Sequence, residues 1–436
     1  MKPSHVPLPH PASGEVKPSN IPAQMTSRVD VAIVGAGQAG LSTSWFLKQA
    51  NVDHVVLEAG RVAETWRSRR WDSFCLVTPN WSVRLPGGEY KGPDPEGYMD
   101  LPELIGHFAA WADSFQAPVQ AGCAVAALDA DGENFVLTTS SGKISARSVV
   151  VASGGYQRAH LPANADQIPS GVTQILAEDY SNPSALAPGA VLIVGSGQTG
   201  CQLAEELHET GRKVFLACGR SPWSPRRWGG KDLVRWTVDS GWWDRKAPAP
   251  GARLVGNVLA TGHGGGHDMH HRTLNAQGVE LLGHYLGAED GKIHFADDLA
   301  ELVDASDNLA RIFRNHVAAH CERLGVDMEW EIPPPMRVPS HTVLDVDREG
   351  ITTVIWTTGY RPSYGWVHLP VFDDMGFPVQ VDGRSAVPGL YFMGVHFQRK
   401  AQSAVLYGAG EDAEIVVRDI VKNRRRPIPA FGGTSP

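Results

Sequence analysis

Apolar residues along this chain fall in short dense runs closed by glycine, and two of these runs continue in the same way. Val29-Asp30-Val31-Ala32-Ile33-Val34 leads into Gly35-Ala36-Gly37-Gln38-Ala39-Gly40. Val191-Leu192-Ile193-Val194 leads into Gly195-Ser196-Gly197-Gln198-Thr199-Gly200. An apolar run with little polar alternation is the mark of a strand buried on both faces, as in parallel sheets. In the first copy, a helix is expected from near Gly40 through Leu41, Trp45 and Leu47, and then a strand from His54 to Leu57 that ends on Glu58. In the second copy, the strand after the helix is expected at Lys213 to Ala217.

Phe135 to Thr139 and Lys143 to Val151 read as two strands joined at Ser141-Gly142. The later one runs into Ala152-Ser153-Gly154-Gly155, where the backbone is expected to cross between domains. Pro222 to Arg272 shows no clear period and predicts long loops with short helices. Thr342 to Gly359 reads as strand and closes on Trp356-Thr357-Thr358-Gly359-Tyr360. Pro388 to Gly394 predicts another strand, and Gly410 to Val421 a last helix. The expected fold class is α/β, with two Rossmann-like dinucleotide-binding domains. Residues 29–160 and 335–425 would form the first and 161–334 the second, inserted into it. Residues 1–28 would be a disordered extension and 426–436 a mobile tail.

The glycines carry the chemistry. Gly35 permits the tight turn, Gly37 lets backbone approach a pyrophosphate, and Gly40 lets the helix pack on the strand. Gln38 and Ala39 open the helix, whose N-terminus favours negative charge. Glu58 stands about 20 residues on, where a carboxylate accepts hydrogen bonds from ribose hydroxyls. Gly195, Gly197, Gln198, Thr199 and Gly200 repeat the arrangement. Here the following strand ends in Ala217-Cys218-Gly219-Arg220, with arginine in place of the carboxylate. A guanidinium attracts a 2′-phosphate, so NADPH is favoured over NADH. Arg226 and Arg227 would either reinforce that phosphate site or be loop charges.

After the first motif come Glu64-Thr65-Trp66-Arg67, Arg70-Trp71-Asp72-Ser73-Phe74, Thr78-Pro79-Asn80-Trp81 and Leu85-Pro86-Gly87. With these residues the chain, from about Val29 to Ile420, resembles the bacterial flavin-containing monooxygenases. These are class B flavoprotein monooxygenases near the YUCCA-type and Baeyer–Villiger enzymes. The resemblance implies a tightly bound FAD reduced by NADPH. The reduced flavin would react with O₂ to give a C4a-(hydro)peroxyflavin, which passes one oxygen atom to nitrogen, sulfur or activated carbon of a small organic substrate. It also implies that Trp66 packs near the flavin and that Thr78 to Asn80 line the isoalloxazine. Asn80, the catalytic candidate, would hydrogen-bond near the reacting edge or the ribityl chain. Ala59, Thr65, Thr78, Val125, Gly154, Thr358, Gly359, Gly394 and Ser403 join the cofactor-binding set on the same ground. One departure stands out: Leu176 occupies the histidine position of the family's F-x-G-x-x-x-H pattern, and leucine can only pack.

The totals narrow the alternatives. A chain of 436 residues with 42% hydrophobic residues is long enough for two or three domains, and its formal charge of -8 argues against nucleic acid. No apolar run reaches the roughly 18 residues of a membrane span, and no signal-peptide core opens the chain, so a cytoplasmic protein is expected. Cys75, Cys123, Cys201, Cys218 and Cys321 form no C-x-x-C pair, which removes a disulfide-reducing dithiol. No metal is expected, although His263, His267, His270 and His271 raise the question; a glycine-rich loop near the cleft is the favoured reading. Trp223, Trp228, Trp236, Trp242 and Trp243 would be core packing, or would wall an apolar substrate channel. The partners expected are a small-molecule substrate and O₂, with no nucleic acid and no membrane, and a homodimer is allowed for. The alternatives kept are an NADPH-dependent flavin reductase serving a quinone or redox protein, and a non-catalytic redox sensor.

Overall fold

The computed structural model describes residues 27–247, 254, 258–339 and 341–423. The expected extension and tail lie outside these residues, except that Ser27 and Arg28 already belong to the first strand.

Ser27–Val34 forms β1, whose last four residues are buried. Gly35 turns the chain at φ 110°, a conformation that favours glycine. Helix α1 then spans Gln38–Gln49. His54–Leu57 is β2, buried throughout and parallel to β1, with Val34 opposite Leu57. On the other side of β1 lies β3, Gly142–Val151, also parallel. Strands Val125–Asp131 and Asn134–Thr139 feed β3 as an antiparallel ribbon. The turn at Ser140–Ser141 falls one residue before the expected Ser141-Gly142, since Gly142 already opens β3.

The second sheet repeats the plan. Ala190–Val194 is β4, buried at every position. Helix α2 spans Gln198–Glu209, and β5, Val214–Ala217, lies parallel to β4. Glu280–Leu282 extends the sheet beyond β5. The alternation along β4 explains its composition. Val191 and Ile193 join one apolar cluster, whereas Leu192 and Val194 join another on the opposite face. A strand covered on both sides has no place for polar residues.

Helix α3, Leu299–Leu324, has 26 residues and was not anticipated from the sequence. Its buried residues Leu299, Leu302, Val303, Ser306, Ala310, Phe313, Val317 and Cys321 follow helical spacing, and it stops at Gly325 with φ 67°. Helix Leu101–Ser114 was likewise missed, although Asp100 and Glu103 form a reciprocal capping box at its start.

Two expectations about the later chain need correction. Thr342 to Gly359 is not one strand. Val343–Asp345 is a short strand, Asp345 caps the turn Val346–Glu349 by accepting from the Arg348 amide at 3.0 Å, and Gly350 reverses the chain. Strand β6, Ile351–Trp356, then pairs in parallel with β4 and with Thr173–Leu176. It therefore belongs to the second sheet, so the return to the first domain comes after Trp356 and not at 335. An apolar run shows that a strand is buried but not in which sheet. Strand β7, Leu390–Phe392, rejoins the first sheet beside β3. Helix α4, Ala409–Asn423, closes the described chain.

Candidate functional site

The two glycine motifs stand at the carboxyl ends of β1 and β4, where open parallel sheets bind ligands. Their glycines divide into two kinds. A Cβ at Gly40 would lie 1.9 Å from the Gly35 carbonyl oxygen, and one at Gly200 would lie 1.8 Å from that of Gly195. A Cβ at Gly35 would meet the Ala152 oxygen at 2.5 Å, and one at Gly195 the Thr357 oxygen at 2.7 Å. These four glycines hold helix, turn and neighbouring strand together. At Gly37 and Gly197, by contrast, a Cβ would meet nothing within 4 Å. Each is the open position before a helix N-terminus, and a bare backbone there fits a pyrophosphate.

The rest of the first cradle is assembled from distant segments. The Glu58 carboxylate accepts from the Ala36 amide at 2.7 Å and from the Gly60 amide at 2.9 Å, which fixes it at the rim of the motif. Ala59 is exposed beside it. The Glu58–Gly60 backbone is braced by the Cys123 and Gly122 amides, which brings Val125 to the same edge. Gly154, Gly359 and Gly394 all take positive φ, between 74° and 85°, just beyond the ends of β3, β6 and β7.

Gln38 and Gln198 occupy equivalent positions and do equivalent work. The Gln38 amide donates to the Ala404 carbonyl at 3.2 Å, and the Gln198 carbonyl accepts from the Ala260 amide at 3.1 Å. Ala39 is buried and Thr199 half-buried on the same first turns. Ser403 is buried, its hydroxyl accepting from the Arg399 and Lys400 amides at 3.1 Å each, so it fixes a loop beside the first cradle. Thr358 donates its hydroxyl to the His160 carbonyl and ties the two domain crossings together. Those crossings run side by side, Arg158–Ala159 pairing with Tyr360–Arg361.

Thr65 is exposed and Trp66 half-buried on a short helix, Glu64–Ser68, with the Trp66 ring 5.7 Å from that of Phe74. Thr78 is half-buried. Asn80 is 4% exposed, and its amide donates to the Asp94 carbonyl at 2.9 Å while its oxygen accepts from the Met99 amide at 2.7 Å. Both polar atoms are already engaged with backbone. In this structure the side chain clamps the loop that follows Thr78, with one N–H and one lone pair of its amide left over.

Arg220 is exposed three residues beyond β5. Arg226 is elsewhere. Its side chain is 2% exposed and pairs with Asp232 at 2.8 Å. It also donates to the Tyr98 hydroxyl at 2.6 Å and to the Val77 carbonyl at 2.8 Å. Arg227 donates to the Gly265 and Gly266 carbonyls. Neither guanidinium is a free loop charge, and Arg226 is closed off from any phosphate. Sequence reading had no signal for this network, because Val77, Tyr98, Arg226 and Asp232 meet only through the fold.

The four histidines separate. His267 pairs with the buried Glu205 at 2.6 Å, and His263 with Glu209 at 3.3 Å. Burial pushes His270 down to about 3 and His271 down to about 4, so both are neutral. No group of three histidine, cysteine or carboxylate side chains among the described residues is placed to hold a metal ion. No helix among them is long and apolar enough to cross a membrane. The tryptophans mostly pack on one another: Trp228 stacks on Trp236 at 5.6 Å, and Trp330 meets both Trp223 and Trp228. Leu176 ends its strand opposite Trp356 and packs with the second sheet's core.

Two sheets with parallel centres, each with a glycine turn at its carboxyl edge and joined by paired crossings, define an α/β fold with two dinucleotide-binding units. Residues 32–236 match the family model described as pyridine nucleotide-disulphide oxidoreductase. The chain is 30% identical over 398 residues to an uncharacterized CzcO-like oxidoreductase of Geobacillus kaustophilus, covering 91% of this chain and 99% of that one. It is 27% identical over 248 residues to the indole-3-pyruvate monooxygenase YUCCA4 of Oryza sativa, which covers 47% of this chain and 54% of the other. A solved flavin-containing monooxygenase from Stenotrophomonas maltophilia superposes with a TM-score of 0.64 at 20% identity, over 91% of this chain and 99% of that one. The chain belongs to the CzcO-like oxidoreductase family, and it shares its fold with the solved flavin-containing monooxygenase.

Proposed function

We propose that this protein is an NADPH-dependent FAD monooxygenase that inserts one atom of O₂ into a small organic substrate at nitrogen, sulfur or activated carbon. The observation that carries the reading is the duplicated cradle, with Gly37 and Gly197 open on the Cβ side at the edges of two joined sheets. The two cradles differ at the ribose end. Glu58 suits the free hydroxyls of FAD's adenosine, whereas Arg220 suits the 2′-phosphate of NADPH. Support also comes from the rice relative, which is named for monooxygenation of indole-3-pyruvate.

The bound flavin supplies two-electron transfer and activation of O₂, which amino-acid side chains do not. The chain supplies the rest. Backbone amides at the starts of α1 and α2 bind and orient the two pyrophosphates. Asn80 and Ser403 hold the loops that border the first cradle, and Gln38 and Gln198 tie each helix to an opposing segment.

The test has three parts. Purified protein is expected to be yellow and to consume O₂ with NADPH faster in the presence of a substrate, giving a product heavier by one oxygen atom. Gly37→Val fills the first cradle, so that variant should fold but lose its flavin. Gly197→Val should stay yellow and lose NADP⁺ binding. A colourless wild-type protein that cannot be reconstituted with FAD overturns the proposal.

A second reading, electron transfer from NADPH to a quinone or redox protein, is favoured by Leu176 at the family's histidine position. Screening amines, thiols, indoles and ketones for oxygenated product separates the two readings. Rapid quinone reduction with no oxygenated product from any of them selects the second.

A further inference from the structure

We propose that Arg70 is an oxyanion-binding residue at the junction of the two domains. It would take either a phosphate of the second dinucleotide or the acid group of an aromatic substrate. Only the first of these sources rests on the NADPH reading.

The Arg70 guanidinium sits in a cage of rings, its centre 5.0 Å from the Trp66 ring, 5.5 Å from Phe74 and 6.0 Å from Tyr156. Tyr156 leans in turn on Tyr360, with centroids 5.2 Å apart. These two tyrosines belong to the two crossings that leave the sheets beyond Gly154 and Gly359. The cage therefore stands where the carboxyl edges of both sheets converge.

Among the described residues Arg70 has no ion-pair partner. One of its five N–H groups donates to the Arg69 carbonyl at 2.7 Å, and no carboxylate among the described residues lies within ion-pairing distance. Glu178, the acid on this side, is paired with Arg69 at 3.1 Å. Ring faces attract a cation but offer no oxygen to its N–H fork. Burial draws the guanidinium's pKa down, so the charge is held at a cost. After burial, the neighbouring charges that act on it oppose one another, with Arg69 lowering its pKa and Glu178 raising it. A planar fork with free donors and aromatic walls fits the paired oxygens of a phosphate or an aryl carboxylate.

The experiment uses the purified full chain. NADP⁺ binding is followed by calorimetry, and inorganic pyrophosphate and phenylacetate binding by quenching of tryptophan fluorescence. Arg70→Met, which keeps the length of the side chain without its charge, is expected to weaken one class of ligand by about 10- to 100-fold. Joint weakening of NADP⁺ and pyrophosphate identifies the coenzyme as the source, and selective weakening of phenylacetate identifies the substrate. Unchanged binding of all three in Arg70→Met overturns the proposal. Should that variant fail to fold, Arg70→Lys keeps the charge but loses the fork, and is held to the same criterion. Failure of all three probes to saturate the wild-type protein also overturns it. A colourless protein would sink the dinucleotide reading, yet the pyrophosphate and phenylacetate titrations would still report on Arg70.

Discussion

Replacing Arg226 with methionine keeps the stem of the side chain and removes its charge from a site closed to water. Four groups depend on that charge: the Asp232 carboxylate at 2.8 Å, the Tyr98 hydroxyl at 2.6 Å and 3.0 Å, the Val77 carbonyl at 2.8 Å, and the Tyr98 ring face. Asp232 is 5% exposed on its side chain. It would keep its bonds from the Tyr98 hydroxyl and the Val234 amide while losing the cation it pairs with. Removing one partner of such a buried pair costs about 3–5 kcal/mol, chiefly because the remaining charge stays in a poorly solvated place. For a unit of this size that lowers the melting midpoint by roughly 5–10 °C. Scanning calorimetry of wild type, Arg226→Met, Asp232→Asn and the double variant measures the effect and its origin. Asp232→Asn keeps a side-chain oxygen to cap the helix Leu233–Asp239, so cap loss does not confuse the comparison. The double variant removes both charges and should be less destabilised than the sum of the singles. A shift below about 1 kcal/mol for Arg226→Met, or strict additivity in the double, would refute the account of this network.

Other outcomes follow from the same geometry. Arg220→Ala should lower the ratio of NADPH to NADH efficiency by about tenfold, the worth of one charge-assisted contact; an unchanged ratio of kcat/KM values would remove Arg220 from the phosphate site. Gly40→Ala should cost both fold stability and flavin content, because its methyl group meets the Gly35 carbonyl at 1.9 Å; retention of colour and melting midpoint would argue against that contact. His270 and His271 are neutral when folded, with pKa values of about 3 and about 4, but take up protons near pH 6.5 when unfolded. The unfolded state binds more protons between those values, so stability is full above pH 6.5 and falls below it. The loss is about 1.4 kcal/mol per pH unit for each histidine. Urea midpoints that do not move between pH 7 and pH 5 would contradict the burial of this pair.

The elements that were legible in the chain share one property: their signal is local. The runs at β1 and β4, the glycines after them and the carboxylate at Glu58 all lie within a few dozen residues of one another. The ribbon from Asn134 to Val151 could be read from its turn. Helix α3 has a clear helical stripe that went unread, and the Asp100–Glu103 box before Leu101–Ser114 was a usable signal. Assigning Ile351–Trp356 to the first sheet failed for a different reason, since nothing within a strand names its neighbour.

By itself the sequence determined that two βαβ units exist, that each turns on glycines able to admit a phosphate, and that one ends in a carboxylate and the other in an arginine. Backbone sterics and burial on both faces leave those residues little other use. Only the tertiary structure decided that Arg226 is buried with Asp232, that Asn80 clamps a loop, and that Arg70 stands beside both domain crossings with no ion pair among the described residues. A charged side chain carries its meaning in its partners, and several of these come from distant segments: Tyr98 and Val77 lie about 130 and 150 positions from Arg226, and Tyr156 and Tyr360 about 90 and 290 positions from Arg70.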